Sequence, residues 1–505
     1  MRTVLLLLLL APAGALAQEA SPYIPLSWWG APFVEHLITR GRLADPTPLT
    51  RPFRAADLVR ALDAVDSTVV TSAEWAVVRQ MRADLTRTEH GPSARMDVHA
   101  GVAASSHARR DALREAGPGH GTFSGGAALT LYLGPAVIVS HPYFDTRLKW
   151  DPDWYGKKDR IIAGKASEAY VSAQFRFGEL FFGILDRNWG PTPVQGLLLS
   201  DSPYGPDHLS ITIGTSGLRL DGIATQLNSL RDTAGLVHNR YMVLHRLWVR
   251  PPPPGRWTFD LWEGSVLEGV GRQIEPWYLN LVNVGYITQT NTNARVNSFL
   301  GFDAQRRAAV TVFAQGMLDD IQIDRKSALD LKPPSYGLTV GAQGSLPRFN
   351  GAWTFFYTRV TNLTYRNENN FETPIYFGLG TGRNFSDYDQ ATLRASFMAP
   401  APAPAPTSIL LTPEVTLLRQ GEGDPHLPHP PVSAYPSTPT IFAGVVTRTL
   451  RLALAGRVRH GRWAVSGDGG VHLISNAGHV TGASKTRWVG TVQLEWRTKK
   501  EGRIP

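Results

Sequence analysis

The chain has 505 residues, a formal net charge of +9, 43% hydrophobic residues and no cysteine; the last excludes a disulfide framework, cysteine-ligated metal and a lipid-modified cysteine. Length alone would allow two or three soluble domains. Yet 14 Trp, 15 Tyr and 48 Gly at a mean hydropathy of -0.16 suit aromatic girdles and tight turns as well as a soluble core. The basic residues are scattered rather than run together, which argues against nucleic acid as a partner and favours acidic polysaccharide or lipopolysaccharide.

Arg2, the apolar run Val4 to Leu10 and the small-residue site Ala15-Leu16-Ala17 predict a cleaved signal peptide over 1–17 and hence export. No later run reaches the roughly 18 apolar residues of a spanning helix. An exported chain that lives in a membrane must then do so as a closed barrel, the other structure that satisfies every backbone group in lipid. Residues 18–94 have a helical texture. Phe33, Val34, Leu37 and Ile38 recur at helical spacing, as do Leu58, Val59, Leu62 and Val65, and then Val77, Val78, Met81 and Leu85. Thr71 with Glu74 makes a capping box for the third group. Three short amphipathic helices are predicted, packed on one another or on the periplasmic mouth of a barrel.

From 95 to 497 the period changes to two. In the last strand Trp488, Gly490, Val492, Leu494 and Trp496 share one face, and Val489, Thr491, Gln493, Glu495 and Arg497 the other. In an earlier one Ala169, Val171, Ala173, Phe175 and Phe177 oppose Tyr170, Ser172, Gln174 and Arg176. Apolar outward and polar inward over about ten residues is the pattern of a transmembrane β-barrel. Alternation marks strands at 96–104, 122–133, 137–150, 166–177, 179–185, 208–213, 216–223, 240–250, 256–264, 294–304, 308–318, 335–346, 351–361, 388–398, 408–419, 440–455, 461–473 and 486–496. That is an all-β transmembrane antiparallel barrel of about eighteen strands preceded by a small N-terminal helical bundle, with 498–505 left as a tail. Connections alternate between short, expected in the periplasm, and loops of some fifteen to thirty residues, expected outside. Ala399 to Pro406 reads as a stiff periplasmic connector, and the proline- and histidine-rich stretch Asp424 to Pro439 as an external loop. A soluble propeller would also give many short strands, but no repeat of about 40–50 residues appears.

Arg176, Arg219, Asp221, Arg246, Asp260 and Arg394 fall on inward rows, so both signs of charge share the lumen. Three segments stand out beyond strands: Asp186-Arg187-Asn188-Trp189-Gly190-Pro191 leading to Leu197-Leu198-Leu199-Ser200; Asp319-Asp320-Ile321; and Asn362 to Tyr388. With the helical prefix and the stretch Tyr357 to Tyr365, this order resembles the capsule-assembly Wzi family over nearly the whole mature chain. The resemblance implies an eighteen-stranded outer-membrane barrel with a periplasmic helical bundle and a lectin-like, non-enzymatic role holding capsular polysaccharide at the cell surface. The alanine-proline connector, the proline-histidine loop and the residues after Trp496 depart from it.

Sugar faces stack on aromatics and sugar hydroxyls bond to Asp, Asn and Arg, which singles out Asp186, Arg187, Trp189, Trp277, Tyr278, Asp320, Tyr376 and Arg383 as candidate polysaccharide contacts. The same aromatics also suit a membrane-interface girdle. Catalysis has less support. Adjacent Asp319 and Asp320 would point to opposite faces of a strand and not flank one glycosidic bond. Ser200 lacks a nucleophile setting, and His426 with His429 lacks a third ligand, so no cofactor or metal is expected. The expected partners are surface polysaccharide, outer-membrane lipid and lipopolysaccharide, and the barrel assembly machinery, with the barrel as a monomer. A porin or solute channel is the alternative.

Overall fold

The computed structural model describes residues 19–160, 163–252, 254–292, 294–320, 327, 331–399 and 407–504. The expected signal peptide, Ile321 and the connector from residue 400 onward lie outside the described residues.

Eighteen antiparallel strands close into one barrel. In chain order they are β1 Ser93–Ser105, β2 His120–Leu133, β3 Ala136–Asp145, β4 Ala163–Phe175, β5 Gly178–Ile184 and β6 Asp207–Gly214. There follow β7 Leu218–Arg231, β8 Val237–Val249, β9 Trp257–Val270, β10 Val296–Arg306, β11 Val310–Asp320 and β12 Ser335–Leu346. The last six are β13 Gly351–Val360, β14 Tyr388–Ala399, β15 Thr407–Gln420, β16 Thr447–His460, β17 Trp463–Ser475 and β18 Ser484–Arg503. Each strand pairs with its chain neighbours, and β18 closes the ring on β1 from Ser93↔Arg503 to Ser105↔Thr491. Residues from 498 expected as a tail are therefore strand through Arg503, because β1 offers them partners down to Ser93.

The alternation read from sequence carries through to burial. On β4 Val171 and Phe175 are exposed while Tyr170, Ser172 and Gln174 are buried; on β18 Trp488, Val492 and Leu494 are exposed and Val489 is buried. Not every long connection survives. The residues between 223 and 240 are mostly strand, since β7 runs on to Arg231 and β8 starts at Val237, leaving a five-residue turn.

The prefix forms three helices, α1 Ala31–Thr39, α2 Ala55–Asp63 and α3 Ser72–Leu85, the last opened by the Thr71–Glu74 capping box. Phe33, Leu37, Leu58, Leu62, Val77 and Met81 form their shared core, which extends onto Met398 and Leu410 of the barrel. The prefix is bonded into the lumen at the short-turn end. Gln174 accepts from the Ser21 amide (2.9 Å) and donates to its carbonyl (2.8 Å), Tyr23 Oη donates to Glu179 (2.5 Å), Arg54 pairs with Glu179 (2.6 Å), and Trp248 donates to the Pro48 carbonyl (3.0 Å). Inward-facing polar rows leave unsatisfied groups unless something polar meets them, and the prefix supplies the partners. Burial together with the Arg40 charge pushes His36 down to about 3, so it is neutral where its Nδ1 meets Ser396 Oγ at 2.7 Å.

Two outcomes follow. On β16 Leu454 faces lipid and its neighbour Ala455 faces a lumenal cavity. Leu454→Arg is expected to cost roughly 2–4 kcal/mol in unfolding from lipid vesicles, and Ala455→Arg little; equal costs would contradict the register. Glu179→Ala should loosen the prefix, seen as protease cleavage within residues 19–92 while the barrel keeps its heat-modifiable gel mobility. Unchanged protection would show that the Glu179 contacts do not hold it.

Candidate ligand-binding site in the barrel lumen

The loop between β5 and β6 does not stay outside but turns into the barrel. Asn188–Trp189 pairs as a short strand with Thr50–Arg51 of the prefix, and Gln315 on β11 donates to the Trp189 carbonyl (3.0 Å) and accepts from the Leu197 amide (2.9 Å). Two leucines, Leu197 and Leu198, fill the lumenal core beside Met242, Val266 and Phe299. The loop from 361 to 387 lies over this one: Ser200 N donates to the Thr381 carbonyl (2.8 Å), Thr381 Oγ1 to Leu198 O (2.9 Å) and Tyr365 Oη to Leu197 O (2.5 Å). Gly382 is required there, because a Cβ would collide with the Leu197 backbone. Asp387 then ties in the loop from 421 to 446 by accepting from the amides of Gly423 (3.0 Å), Ala443 (2.9 Å) and Phe442.

Beside these folded-in loops remains a cavity of about 800 Å³, lined at one end by Glu35 and His36 of the prefix and at the other by Arg110, Asp153 and Arg383. Arg383 is the unusual member. It is 7% exposed, its Nε and Nη2 have no hydrogen-bond partner, and among the described residues no carboxylate lies within ion-pair distance. Its neighbours on the cavity wall include Asn384, Phe385 and Tyr388. At the same end stand the loop residues after β1. Arg110 donates to the Ser202 carbonyl (2.8 Å) and lies 4.2 Å over the Tyr204 ring, while Arg109 and Arg114 share Asp153 (3.0 and 3.6 Å). Burial pushes the Asp111 carboxyl up against the pull of Arg114. Buried guanidinium donors beside aromatic faces suit a ligand that brings carboxylates or hydroxyls.

The eight residues singled out by sequence do not converge on one site. Arg383 lines the main cavity. Trp189, expected in an external loop, is 5% exposed and covered by the Arg246 guanidinium at 4.2 Å, so it offers no stacking face. Arg187 is also turned inward, bonded to His208 Nε2 (2.7 Å) and Ser210 (3.2 Å) over the rings of Tyr23 and Phe181. Asp186 is half-buried near Lys165. Asp320 pairs with Lys332 (2.6 Å), and Asp319 accepts from the Tyr365 amide (2.7 Å), capping that loop. Tyr376 joins an aromatic group at the loop end, where Tyr155 and Phe377 stack at 4.2 Å. Trp277 and Tyr278 lie outside the lumen, against the outer wall: Tyr278 packs on Tyr241, Val243 and Leu267, all outward-facing. His426 is held between Asp424 (2.6 Å) and the Gly378 carbonyl (3.0 Å). The run Arg109-Arg110-Asp111 with Arg114 was missed, although so dense a cluster of charge in the first loop was a usable signal.

A closed eighteen-stranded barrel with a helical prefix is an outer-membrane type of fold. Among solved structures it is similar to Wzi, an outer membrane protein involved in group 1 capsule assembly in Escherichia coli and described as a carbohydrate-binding β-barrel. The identity is 12%, the match covers 94% of this chain and 97% of that one, and the TM-score is 0.58. Other matches are the outer membrane protein OpdK of Pseudomonas aeruginosa (10% identity, 81% and 99% covered, TM-score 0.45) and OccAB4 of Acinetobacter baumannii (7%, 82% and 99%, 0.45). No protein-family model matches the chain, and no curated protein matches it by sequence. At 12% identity the likeness to Wzi establishes the fold alone.

Burial pushes Asp186 up to about 6 from an ordinary 3.8, with Lys165 and Arg110 opposing. A carboxyl raised in the folded state contributes stability that is full below its unfolded pKa and lost as pH rises through the folded one. Asp186→Asn should therefore gain on the wild type between pH 3.8 and about 6 and keep that gain above it, measured as the unfolding midpoint in detergent. The same offset at both ends of that range would contradict the burial of this carboxyl.

Proposed function

We propose that this chain is an exported outer-membrane barrel, matured by loss of residues 1–17, that binds polysaccharide at the cell surface without turnover, its lumenal cavity gripping acidic sugar units. The observation that carries this reading is Arg383: a buried guanidinium with free donors and no acidic partner among the described residues, on the wall of an 800 Å³ cavity. Burying a charge without a partner is costly, so a site that does it is made for a ligand supplying the counter-charge. A neighbour in fold is described as carbohydrate-binding, which agrees. In this reading the barrel acts as a monomer, set in place by the barrel assembly machinery with lipopolysaccharide around its outer rim.

A second reading has its own support. The same cavity is lined both by prefix residues and by loop-end residues, so it runs along much of the lumen, as a solute path would. Steady large openings in planar bilayers would favour a channel, and their absence a binding barrel.

Arg383→Ala should weaken binding of an acidic polysaccharide to the purified barrel by about tenfold or more, and Arg383→Lys by less, with heat-modifiable mobility unchanged in both. Undiminished affinity in Arg383→Ala would remove the cavity from the function.

A further inference from the structure

The loop between β9 and β10 leaves the barrel on the wrong side for a lumenal or solvent loop. Arg246 and Asp221 are paired inside the lumen (2.7 Å), so their neighbours His245 and Gly222 point outward, toward lipid. Outward positions elsewhere on this wall are bare and apolar: Leu261 is 62% exposed, and Leu247, Phe259 and Phe302 are exposed as well. Yet Val243, His245, Ser265, Leu267 and Ser298 point outward and are buried. What covers them is the stretch from Pro276 to Thr292, with its short helices α4 Pro276–Leu279 and α5 Gly285–Thr292. Tyr278 packs on Val243 and Leu267, a Cβ on Gly222 would collide with Leu281, and the Gly285 amide donates to Glu263 Oε1 (2.9 Å).

Beneath the cover lies a polar patch. His245 Nδ1 meets Glu263 Oε1 at 2.9 Å, with Ser265 and Ser298 adjacent at 3.5 Å from each other. His245 is four residues from the short-turn end of β8 and Glu263 six from that of β9. At about 3.3 Å per residue and a strand tilt of about 40°, that is roughly 10–15 Å into an apolar band about 25 Å tall. A histidine–carboxylate pair at that depth facing acyl chains would be expensive. The cover turns the opposite character outward: Trp277, Leu279, Val284, Tyr286 and Ile287 are exposed, and Val282 is 77% exposed.

We infer that residues 276–292 form a flap lying within the membrane, its outer side against acyl chains, continuous with the lipid-facing band of β7 to β10, and its inner side sealing the His245–Glu263 pair from lipid. Lipid rather than water or a second copy is the occupant, because the flap's exposed side chains carry on the apolar surface of Leu261 and Phe302 instead of interrupting it. The polar wall and the apolar flap then explain each other.

Since the chain has no cysteine, a single introduced one takes a spin label uniquely. The full barrel carrying Val282→Cys would be labelled, reconstituted in dioleoylphosphatidylcholine vesicles and compared with Leu261→Cys on the bare wall and Leu427→Cys on the loop from 421 to 446. The flap predicts a ratio of oxygen to nickel-chelate collisions at Val282 that matches Leu261 and is several-fold above Leu427. A ratio matching Leu427 would place the segment in water and overturn the inference, and spin–spin broadening at Val282 would put a second copy there and overturn it too. Gly222→Leu should raise label mobility at Val282 by pushing Leu281 off the wall; unchanged mobility in a folded Gly222→Leu barrel would mean that the segment is not seated on Gly222.

Discussion

Everything in this molecule depends on the impossibility of leaving a backbone amide or carbonyl unpaired in hydrocarbon. Eighteen strands meet it only by closing, and closure through the β1–β18 pairing fixes which side chain of every strand faces in. With period-two alternation that decision is made once for all strands. The outward rows answer to lipid and the inward rows to one another. Arg246, Asp221, Asp260, Arg394, Glu414 and Arg451 pair between adjacent strands, while inward groups such as Gln174, Glu179 and Trp248 face a space too wide to bridge from wall to wall.

The solution is to bring chain into the lumen from both ends. From the short-turn side the prefix reaches Gln174, Glu179 and Trp248, and from the other the loops starting at 185 and 361 lay Leu197, Leu198, Thr381 and Tyr365 across the interior. The two meet where Thr50–Arg51 pairs with Asn188–Trp189. Part of what is left open is a cavity along β13 to β17, and Arg383 is placed on it by a turn that only Gly380 and Gly382 allow. The candidate site is thus a remainder of lumen packing, which is why its residues come from the prefix, four loops and the wall.

The barrel was legible in the sequence because alternation is a local signal, and where it weakens the reading fails for a physical reason. Strands expected at 216–223 and 256–264 in fact run on to Arg231 and Val270. The next outward positions after Gly222 and Leu261 are Ala224, Glu263 and Ser265, and the apolar Leu267 comes only after them. Those three are small or polar because the 276–292 flap and not lipid covers them, so the expected apolar row is interrupted. The site was far less legible. Trp189 and Arg187 sit in a conspicuous motif, but whether a loop turns out to solvent or in to the lumen is a long-range matter of Gln315 and the prefix. Two consecutive buried leucines at 197 and 198 in a loop were the available hint. Arg383 was found by residue type, while the lack of a counter-charge around it is visible only in three dimensions.

Hydrogen–deuterium exchange of the folded barrel with and without an acidic oligosaccharide bears most directly on the cavity as the seat of binding. Protection gathered on 380–390 and 106–115, the two stretches that bring Arg383 and Arg110 to it, is expected, with a neutral oligosaccharide of equal length giving less. Protection confined to exposed loop tips around Tyr155 and Phe377, or equal for charged and neutral sugars, would contradict it.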